Sequence, residues 1–479
     1  MAATDKSGIR LTSDYLAEHA TARPNEIALV DEGQEITFGR FYDDLRRTVR
    51  ALSTLKLPQD AIVSVEFLGL YRPWLLQLGF ECLGIANASY ADAHDQGTLK
   101  LLLDRSDLVI HLGDAPATEA PCLHADTKWW RNLFRRKPGE LPFPPDPHTP
   151  ARVVCSSGTT GEIKVIPQTL AQLDFRGRTY GDLLGFDSET RFMVGMGFAV
   201  QLDQLLAATC LRRGGRCHYA GILAAPDAIN FCSPTHALLL PMHLPTLLGE
   251  GAPANPDGFL TLAITGGHVA DAVRARLLPE YPHRLVEAYA TNETSIIADM
   301  DADSVGTILP GVTVEIVDDE ERPLPQGAPG RVRVKSPGNT EGYLFETETE
   351  MFKDEWFYPG DIGQIDTAGR LHLLGRGDDI INLRGLKVNA TNYEQGLVSL
   401  PGIVDAGILS ARDENGLDIL LVALVLEPGR KLEALKDLLA KHLPTDVIGI
   451  SVAQIQQIPR TATGKLQRHA LAAQIAGMK

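Results

Sequence analysis

Segments with helical periodicity alternate with short strand-like segments along most of this sequence. A helix is predicted over Thr12–Ala22, and the apolar run at 27–30 predicts a buried strand directly after it. An amphipathic helix begins after Thr37, an N-cap candidate, and the strand predicted at 61–67 precedes another helix at 73–83. Because repeated strand–helix units place helices on parallel sheets, this alternation restricts the chain to the α/β class.

The alternation breaks twice. Residues 114–152 contain eight prolines and predict a long surface connection. Near residue 375 hairpin-like turns give way to new elements, with strands at 379–383, 404–409 and 417–426 and helices at 391–398 and 432–442. We therefore expect a large N-terminal domain of layered α/β subdomains over 1–376 and a small α+β domain, about a hundred residues long, over 377–479.

The charge and hydrophobicity of the chain exclude several functional classes. Lys and Arg number 45 against 61 Asp and Glu, and the resulting charge of −16 disfavours binding to nucleic acid. The longest apolar stretch, 419–426, is eight residues, whereas a membrane span needs about 20. Neither terminus resembles a targeting signal. We expect a cytoplasmic protein with no membrane span and no nucleic-acid partner.

The most informative segment runs from Arg152 to Lys164. An apolar strand leads into a loop of small hydroxyl residues and glycines that ends in a lysine. Such a loop can surround phosphate oxygens with backbone N–H groups and hydroxyls, because glycine permits close approach. It lacks the GxxxxGK[ST] spacing of a Walker A motif, and an ordinary glycine-rich turn would have the same composition. The candidate phosphate-binding residues are Ser156, Ser157, Gly158, Thr159, Thr160, Gly161 and Lys164.

Five further segments follow in a fixed order. They are ITGG at 264–267, EAYATNE at 287–293, YPGD at 358–361, GRGDD at 375–379 and PRTATGKLQR at 459–468. Together with the loop, they resemble the motifs of the adenylate-forming superfamily, which includes acyl- and aryl-CoA ligases, luciferase and the adenylation domains of peptide synthetases. The motifs run from Arg152 to Arg468, whereas the first 150 residues are assigned only by position.

The resemblance implies a two-step reaction that uses ATP and Mg²⁺. A carboxylate attacks the α-phosphate of ATP to give an acyl-adenylate and pyrophosphate, and a thiol then displaces AMP. Because both reactants of the first step are anions, cations are needed where charge develops. By resemblance, Lys465 is the catalytic cation. Glu293 is the second catalytic residue and the Mg²⁺ ligand, since phosphate-bound Mg²⁺ needs only one or two protein carboxylates.

The same resemblance implies the nucleoside contacts. Asp361 accepts hydrogen bonds from the ribose hydroxyls, and Arg376 is a second ribose contact. Tyr289 stacks on adenine, with a core tyrosine as the alternative interpretation. Gly266 and Gly267 lie along the adenine.

The resemblance also implies a hinge between the two domains. In this family the small domain rotates between the two half-reactions, and Asp378 occupies the position that takes the change of dihedral angle. Gly377, directly before it, makes such a rotation inexpensive. The small domain is therefore expected to be a mobile cap that delivers and withdraws Lys465.

Five positions depart from the family pattern, among them Leu170 and Asn392. Ile163 replaces the usual proline, Ala290 the usual glycine and Asn292 the usual threonine. None of these changes removes a charge that the mechanism needs, and Asn292 keeps an oxygen for a phosphate or for water bound to Mg²⁺. Proline pre-sets one dihedral angle and isoleucine does not, so Ile163 would loosen the loop. A non-catalytic or regulatory adenylate-binding protein is the alternative hypothesis.

The acyl pocket is assigned by position between the loop and the Glu293 motif. Its candidate wall residues are Phe198, Gln201, His268 and Ala290. The methyl group of Ala290 and the bulk of His268 favour a small or aryl acid over a long acyl chain. Gln201 lies near the position where amino-acid-activating domains carry an aspartate, and its neutrality weakens an amino-acid substrate.

The acceptor stays open between two thiols. The segment 381–389 resembles that of peptide-synthetase adenylation domains, which favours the phosphopantetheine arm of a separate carrier protein, while CoA is the other candidate. No carrier domain follows Lys479 within this sequence. An adenylating enzyme with a non-thiol acceptor would share every motif.

Overall fold

A computed structural model describes residues 9–91, 96–142, 145–157, 163–221, 225–244, 260–265, 269, 271–280, 283–345, 351–377, 380–383, 386–412, 418–443, 449–460 and 466–476. The α-helices within these ranges are α1 (Thr12–Ala22), α2 (Phe38–Leu52), α3 (Tyr71–Leu83), α4 (Gln96–Asp104), α5 (Thr127–Phe134), α6 (Leu170–Leu184), α7 (Gln201–Arg213), α8 (Ala225–Cys232), α9 (Asp271–Glu280), α10 (Ala390–Val398), α11 (Lys436–His442) and α12 (Arg468–Ala476).

The strands are β1 (Ile27–Asp31), β2 (Gln34–Thr37), β3 (Ile62–Glu66), β4 (Ala86–Tyr90), β5 (Leu108–His111), β6 (Cys122–His124), β7 (Pro150–Ser157), β8 (Ile163–Thr169), β9 (Arg191–Val194), β10 (Arg216–Tyr219), β11 (His236–Leu239), β12 (Leu260–Ile264), β13 (His283–Thr291), β14 (Ser295–Met300), β15 (Val305–Ile308), β16 (Thr313–Val317), β17 (Gly330–Lys335), β18 (Phe352–Lys353), β19 (Trp356–Phe357), β20 (Asp361–Ile365), β21 (Leu371–Arg376), β22 (Ile380–Leu383), β23 (Leu386–Asn389), β24 (Ile403–Arg412), β25 (Asp418–Leu426) and β26 (Ile450–Gln454).

Local sequence signals determine where several helices begin and end. At the start of α2, the Thr37 hydroxyl accepts the Arg40 N–H at 3.2 Å, which confirms the predicted N-cap. α6 begins with a capping box between Thr169 and Gln172 and ends at Gly185, whose φ of 74° suits glycine. These caps fix the length and direction of the helix that carries Arg176.

The larger sheet changes from parallel to antiparallel along its width. Strands β1, β10, β9, β11, β12 and β13 are parallel neighbours in that spatial order. From β13 onward, β14, β15, β21, β20 and β17 pair antiparallel, with β16, β18 and β19 attached at β17. The change occurs at the β13–β14 turn, which contains Asn292 and Glu293.

The second sheet has the strand order β6-β5-β3-β4-β7-β8. Its first five strands are parallel and β8 returns antiparallel to β7. One continuous cluster of buried apolar side chains joins both sheets, and it includes Val63 in β3, Trp74 in α3, Phe192 in β9 and Val286 in β13. The predicted α/β class with a large N-terminal part is confirmed.

The chain beyond residue 377 builds smaller sheets. β22 and β23 form a hairpin, and β24, β25 and β26 form a three-stranded sheet. Among the described residues, the apolar clusters of this part draw only on residues between Ile381 and Ile475. The domain division at residue 376 stays a prediction.

Two details of the sequence prediction were wrong. The predicted connection at 114–152 contains β6, which pairs with β5, and α5, which buries Trp130 and Leu133. Prolines on both sides gave the whole segment the composition of a loop, although β6 and α5 themselves contain no proline. The helix predicted at 432–442 is a 3₁₀ turn at Leu432–Leu435 followed by α11. Within the described ranges, every helix is too short or too polar to cross a membrane.

Candidate active site

Three hairpins carry the described candidates for nucleotide and metal binding. Tyr289 and Ala290 lie on β13, and Asn292 and Glu293 form the turn to β14. Asp361 begins β20 and Arg376 ends β21. Ser156 and Ser157 end β7, while Lys164 lies near the start of β8. The Tyr289–Asp361 hydrogen bond connects the first hairpin to the second, and the Tyr343 hydroxyl connects Glu293 to Lys164 of the third.

Tyr289 and Arg376 converge on the carboxylate of Asp361. Asp361 and Arg376 are cross-strand partners, with Arg376 Nη1 at 3.8 Å from Asp361 Oδ1. The Tyr289 hydroxyl donates to Asp361 Oδ2 at 2.5 Å. Burial, followed by the charge of Asp361, raises the pKa of Tyr289 well above its ordinary value, so this hydroxyl stays a donor. The hairpin therefore holds a largely buried carboxylate next to one cation.

Tyr343 connects Lys164 to Glu293. The Tyr343 hydroxyl donates to Glu293 Oε1 at 2.9 Å, and Lys164 Nζ donates to the same hydroxyl at 3.3 Å. Lys164 Nζ also lies 4.7 Å from the centre of the Tyr343 ring and 2.9 Å from Met351 Sδ. Glu293 is only 9% exposed. The arrangement fixes an acidic group and a basic group through one shared side chain.

Arg176 fixes the main chain of the Glu293 turn. This residue of α6 is fully buried, and its three nitrogens all donate to carbonyl oxygens. Nη1 reaches Asn292 O at 3.0 Å, Nη2 reaches Glu293 O at 2.7 Å, and Nε reaches Gly338 O at 2.9 Å. Burial lowers the pKa of Arg176 to about 10, so the group is a cation at neutral pH. A buried positive charge therefore lies directly behind the Glu293 carbonyl.

The candidate acyl-pocket residues that are described lie on three elements. Phe198 is fully buried, with its ring centre 5.1 Å from that of Trp74 and 5.3 Å from that of Phe67. Gln201 is the first residue of α7 and is half-buried, as is Ala290 on β13. Phe198 and Gln201 both line a cavity of about 10 Å³. These positions leave the pocket assignment a prediction.

Several predicted residues lie outside the described part of the chain. They are Gly158, Thr159, Thr160, Gly161, Gly266, Gly267, His268, Asp378 and Lys465. Ser156 and Ser157 are described only through their backbone, which pairs with Lys164 and Ile163 across the β7–β8 hairpin. The roles assigned to all of these residues stay predictions.

Sequence reasoning missed Arg176 and Tyr343. Arg176 lies in a helix whose sequence gives no sign that one face is buried against the Glu293 turn, 117 residues away. Tyr343 follows Gly342 in a segment without regular periodicity. The burial of Arg176, which requires several acceptors, becomes visible only in the structure.

Comparison with known proteins gives a family match. The family model described as "AMP-binding enzyme" matches residues 16–344, which is more than half of the 479-residue chain. A Delta-poly-L-ornithine synthetase of Acinetobacter baumannii (strain AB307-0294) is 24% identical over 96% of this chain. The chain spans only 36% of that relative's length.

Two further proteins are similar over nearly their whole length. A 2-succinylbenzoate–CoA ligase of Bacillus licheniformis is 22% identical, with 96% of this chain and 99% of the relative covered. The crystal structure of an anthranilate CoA ligase in complex with anthranoyl-AMP superposes with a TM-score of 0.84 at 19% identity. That superposition covers 98% of both chains.

Proposed function

This chain belongs to the AMP-binding enzyme family of adenylate-forming proteins, and on that premise we propose that it activates a small or aryl carboxylic acid with ATP. The activated acyl group then passes to a phosphopantetheine thiol of a carrier protein or to CoA. Adenylate-forming activation of an acid follows from the family, whereas the acid and the acceptor are our proposal.

The observation that carries the proposal is the connection of Lys164 and Glu293 through the Tyr343 hydroxyl. Lys164 Nζ lies 3.3 Å and Glu293 Oε1 lies 2.9 Å from that hydroxyl, so a cation and a carboxylate flank the same group. An ammonium group suits a phosphate oxygen, and a carboxylate suits a divalent cation. A nucleoside triphosphate with its metal presents both partners together.

Mg²⁺ fits the donor set at this position. The Glu293 carboxylate supplies the oxygen ligands that hard divalent cations prefer, and the Tyr343 hydroxyl orients it. When bound, Mg²⁺ would neutralise charge on the phosphate oxygens. Glu293 is the residue that would hold it.

The first step joins two anions. A carboxylate oxygen of the acid forms a bond to the α-phosphorus, and the bond from that phosphorus to the pyrophosphate oxygen breaks. Lys465, with Lys164, would offset the charge that develops on the phosphates. Asp361 would accept hydrogen bonds from the ribose hydroxyls, with Arg376 beside it. Tyr289 would stack on adenine.

The second step requires the thiol to enter where Lys465 acted. We propose that residues 377–479 form a cap that rotates about Asp378 between the two steps. The acyl group leaves the adenylate for the thiolate sulfur, and AMP departs. One relative is named a CoA ligase, and the segment 381–389 resembles that of peptide-synthetase adenylation domains, so both thiols enter the test.

The preference for a small or aryl acid rests on the wall of the acyl pocket. Ala290 adds a methyl group to β13, and Phe198, packed against Phe67 and Trp74, lines a cavity of only about 10 Å³. Two of the similar proteins are named for aryl acids, 2-succinylbenzoate and anthranilate.

The test is pyrophosphate release over a panel of aryl, short acyl, amino and long-chain acids, with and without CoA or a phosphopantetheinylated carrier protein. We expect aryl or short acids to release pyrophosphate and a thiol to complete turnover. Lys465→Ala should lower adenylation by about 10²- to 10³-fold. Lys441→Ala, which removes an exposed lysine from α11, should not.

Each contrary outcome removes a different part of the proposal. ATP binding without pyrophosphate release for any acid would identify a regulatory adenylate-binding protein. Pyrophosphate release without thiol-dependent turnover would identify another acceptor. A preference for long acyl chains would contradict the pocket assignment, and unchanged adenylation in Lys465→Ala would contradict the mechanism.

A further inference from the structure

Glu287 is a buried acidic residue that the proposed mechanism does not use. It lies on β13, two residues before Tyr289, and is 5% exposed. An ionised carboxylate away from water costs free energy unless other groups pair with it. The partners of Glu287 therefore indicate what the residue does.

Each carboxylate oxygen of Glu287 has a partner of its own. Oε1 accepts a hydrogen bond from Nη2 of Arg274 on α9, in an ion pair whose arginine side chain is 19% exposed. Oε2 accepts a hydrogen bond from the N–H of Val269 at 3.0 Å. The ion pair balances the buried charge, while the second oxygen holds a main-chain group that lies outside the sheet.

The chain before Val269 is fixed beside the same residue at its other end. Ile264, the last residue of β12, is the cross-strand partner of Glu287 in the parallel pairing of β12 with β13. The next residue, Thr265, donates its N–H to Leu239 O at 3.2 Å, which holds the start of the segment against the end of β11. The chain thus leaves the sheet beside the Glu287 main chain and is held at Val269 by the Glu287 side chain.

Apolar packing brings α9 to the same place. Val269 is fully buried and belongs to one cluster of buried side chains with Ile264 of β12 and Leu277 of α9. Arg274 lies three positions before Leu277, which is about one helical turn. The helix therefore contributes a cation to Glu287 and an apolar side chain to the cluster around Val269.

The segment between the two anchors contains predicted nucleotide contacts. Residues 266–268 lie outside the described part of the chain, and the family resemblance assigns the glycine pair among them to adenine. The same resemblance assigns Tyr289 to adenine, and Glu287 and Tyr289 lie on one face of β13 because they are two positions apart. Glu287 thus ties the main chain that follows the glycine pair to the strand that carries Tyr289.

A salt bridge that only stabilises the fold would need nothing beyond the two charges. Buried ion pairs can often be replaced by apolar residues of similar volume without loss of stability, so the pair with Arg274 is weak evidence for such a role. The hydrogen bond to Val269 is a separate contribution, because it fixes a main-chain geometry rather than balances a charge.

We propose that Glu287, held by Arg274, is a positioning residue of the nucleotide site and fixes the segment that ends at Val269 relative to Tyr289. This inference rests on the proposed function and deepens it, since it assigns the spacing of two predicted adenine contacts to a residue that does not itself touch the nucleotide.

The test compares two double variants that both remove the ion pair. Glu287→Gln with Arg274→Met keeps a side-chain oxygen for the Val269 N–H, whereas Glu287→Met with Arg274→Met has a side chain of similar length without that acceptor. We expect KM for ATP, measured by pyrophosphate release at saturating acid, to stay within about 2-fold of wild type in the first variant and to rise about 5- to 10-fold in the second, as the loss of one hydrogen bond implies. In both variants kcat should change by less than about 3-fold, because Glu287 contacts no reacting atom.

Stability measurements on the same proteins separate positioning from folding. Urea denaturation should give similar free energies of unfolding for the two double variants, because both exchange the ion pair for neutral side chains. Asp44→Ala is the matched control, since it removes a buried carboxylate of α2 that pairs with Arg47 and accepts a hydrogen bond from the Tyr71 hydroxyl. It should lower stability and leave KM for ATP unchanged, and an equal rise in KM in this control would overturn the inference.

The remaining outcomes distinguish the positioning role from the proposed function. Equal KM values for ATP in the two double variants would overturn the positioning role and leave the proposed function intact. If no acid releases pyrophosphate with the wild-type protein, the proposed function fails, and calorimetric titration of ATP into the same two variants decides the positioning role. A dissociation constant that rises only in the variant without the acceptor supports the role, and equal dissociation constants overturn it.

Discussion

Two buried arginines in the N-terminal part of this protein use their donors differently. Arg176 donates from all three nitrogens to main-chain oxygens around the Glu293 turn. Arg152 donates from both Nη atoms, while its Nε has no partner among the described residues. Burial lowers the pKa of Arg176 to about 10 and that of Arg152 to about 9, so both are cations at neutral pH. The free-energy cost of removing each guanidinium from water is therefore similar. The two arginines differ in the groups that accept their hydrogen bonds.

The acceptors of a buried guanidinium indicate its role. A guanidinium whose nitrogens are all used by the main chain stabilises one backbone geometry, and nothing remains for a ligand. A guanidinium that donates mainly to side chains and leaves one nitrogen unpaired constrains the main chain less. Arg176 is thus expected to be a positioning residue for Glu293, and Arg152 a packing residue that joins β4 to the Phe198 loop.

The largest expected effect comes from Arg176→Met. The substitution removes every described donor to Gly338 O and one donor each to Asn292 O and Glu293 O. We expect the free energy of unfolding to fall by about 2–4 kcal/mol, measured by urea denaturation, and adenylation to be lost with it. Arg178→Met, on the same helix but with its side chain 63% exposed, should change stability by less than about 0.5 kcal/mol. Equal effects of the two variants would contradict the positioning role.

Arg152→Met should cost less. Two of its three acceptors are side chains, and Ser89 Oγ keeps a second donor in Gln77. The variant also relieves an unpaired buried donor, so we expect a loss of about 1–2 kcal/mol in the free energy of unfolding. The same urea titration measures it. A loss as large as that of Arg176→Met would break the comparison, because both arginines would then constrain the main chain to the same extent.

The fold was predictable because it depends on regular periodicity. The helix at Thr12–Ala22 and the Thr37 cap come from local pattern and were confirmed. α5 and β6 were missed because short elements between prolines carry little periodic signal. Their assignment depends on pairing with β5 and on burial of Trp130, which are tertiary facts.

The site was predictable only where chemistry determines the residue type. Glu293, Asp361 and Arg376 could be named from motifs, since the family resemblance assigns their charges to the reaction. Arg176 and Tyr343 serve those residues through contacts that join segments 117 and 50 positions apart in the chain, and periodicity contains no such information. That Arg152 and Gln168 are cross-strand partners likewise emerges only once the β7–β8 register is known.

Tyr343→Phe tests the other support of Glu293, and its effect should be smaller than those of the arginine variants on stability. The ring that contacts Lys164 and Phe352 remains, and only the hydroxyl between Lys164 and Glu293 is lost. We expect unfolding free energy within about 1 kcal/mol of wild type. Pyrophosphate release should fall about 10- to 100-fold, with a higher Mg²⁺ requirement, because the carboxylate loses its orienting donor.

Tyr71→Phe is the matched control for that variant. Its hydroxyl donates to Asp44 Oδ2 at 2.8 Å in a buried contact of the N-terminal helices. It should cost similar stability without changing the Mg²⁺ dependence. A Tyr343→Phe protein with normal activity at low Mg²⁺ would contradict the orienting role of the hydroxyl and leave the main-chain contacts of Glu293 with Arg176 and Thr340 as its described support.

The smallest effect at neutral pH is expected from Asp203→Asn, which tests the Arg152 side of the comparison. Asp203 Oδ2 accepts hydrogen bonds from the N–H groups of Met196 and Gly197 at 2.8 Å and so holds the loop whose Phe198 carbonyl binds Arg152.

Burial raises the pKa of Asp203 from 3.8 to about 7. Between those pH values the folded chain binds more protons than the unfolded chain, so this group's contribution to stability falls as pH rises from about 4 to 7. The slope is at most about 1.4 kcal/mol per pH unit, and Asn should abolish it while keeping an acceptor for both N–H groups. Urea titrations of both proteins from pH 4 to 8 measure the difference. Parallel curves would show that Asp203 is ionised throughout, and the loop that holds Phe198 against Arg152 would then be independent of pH.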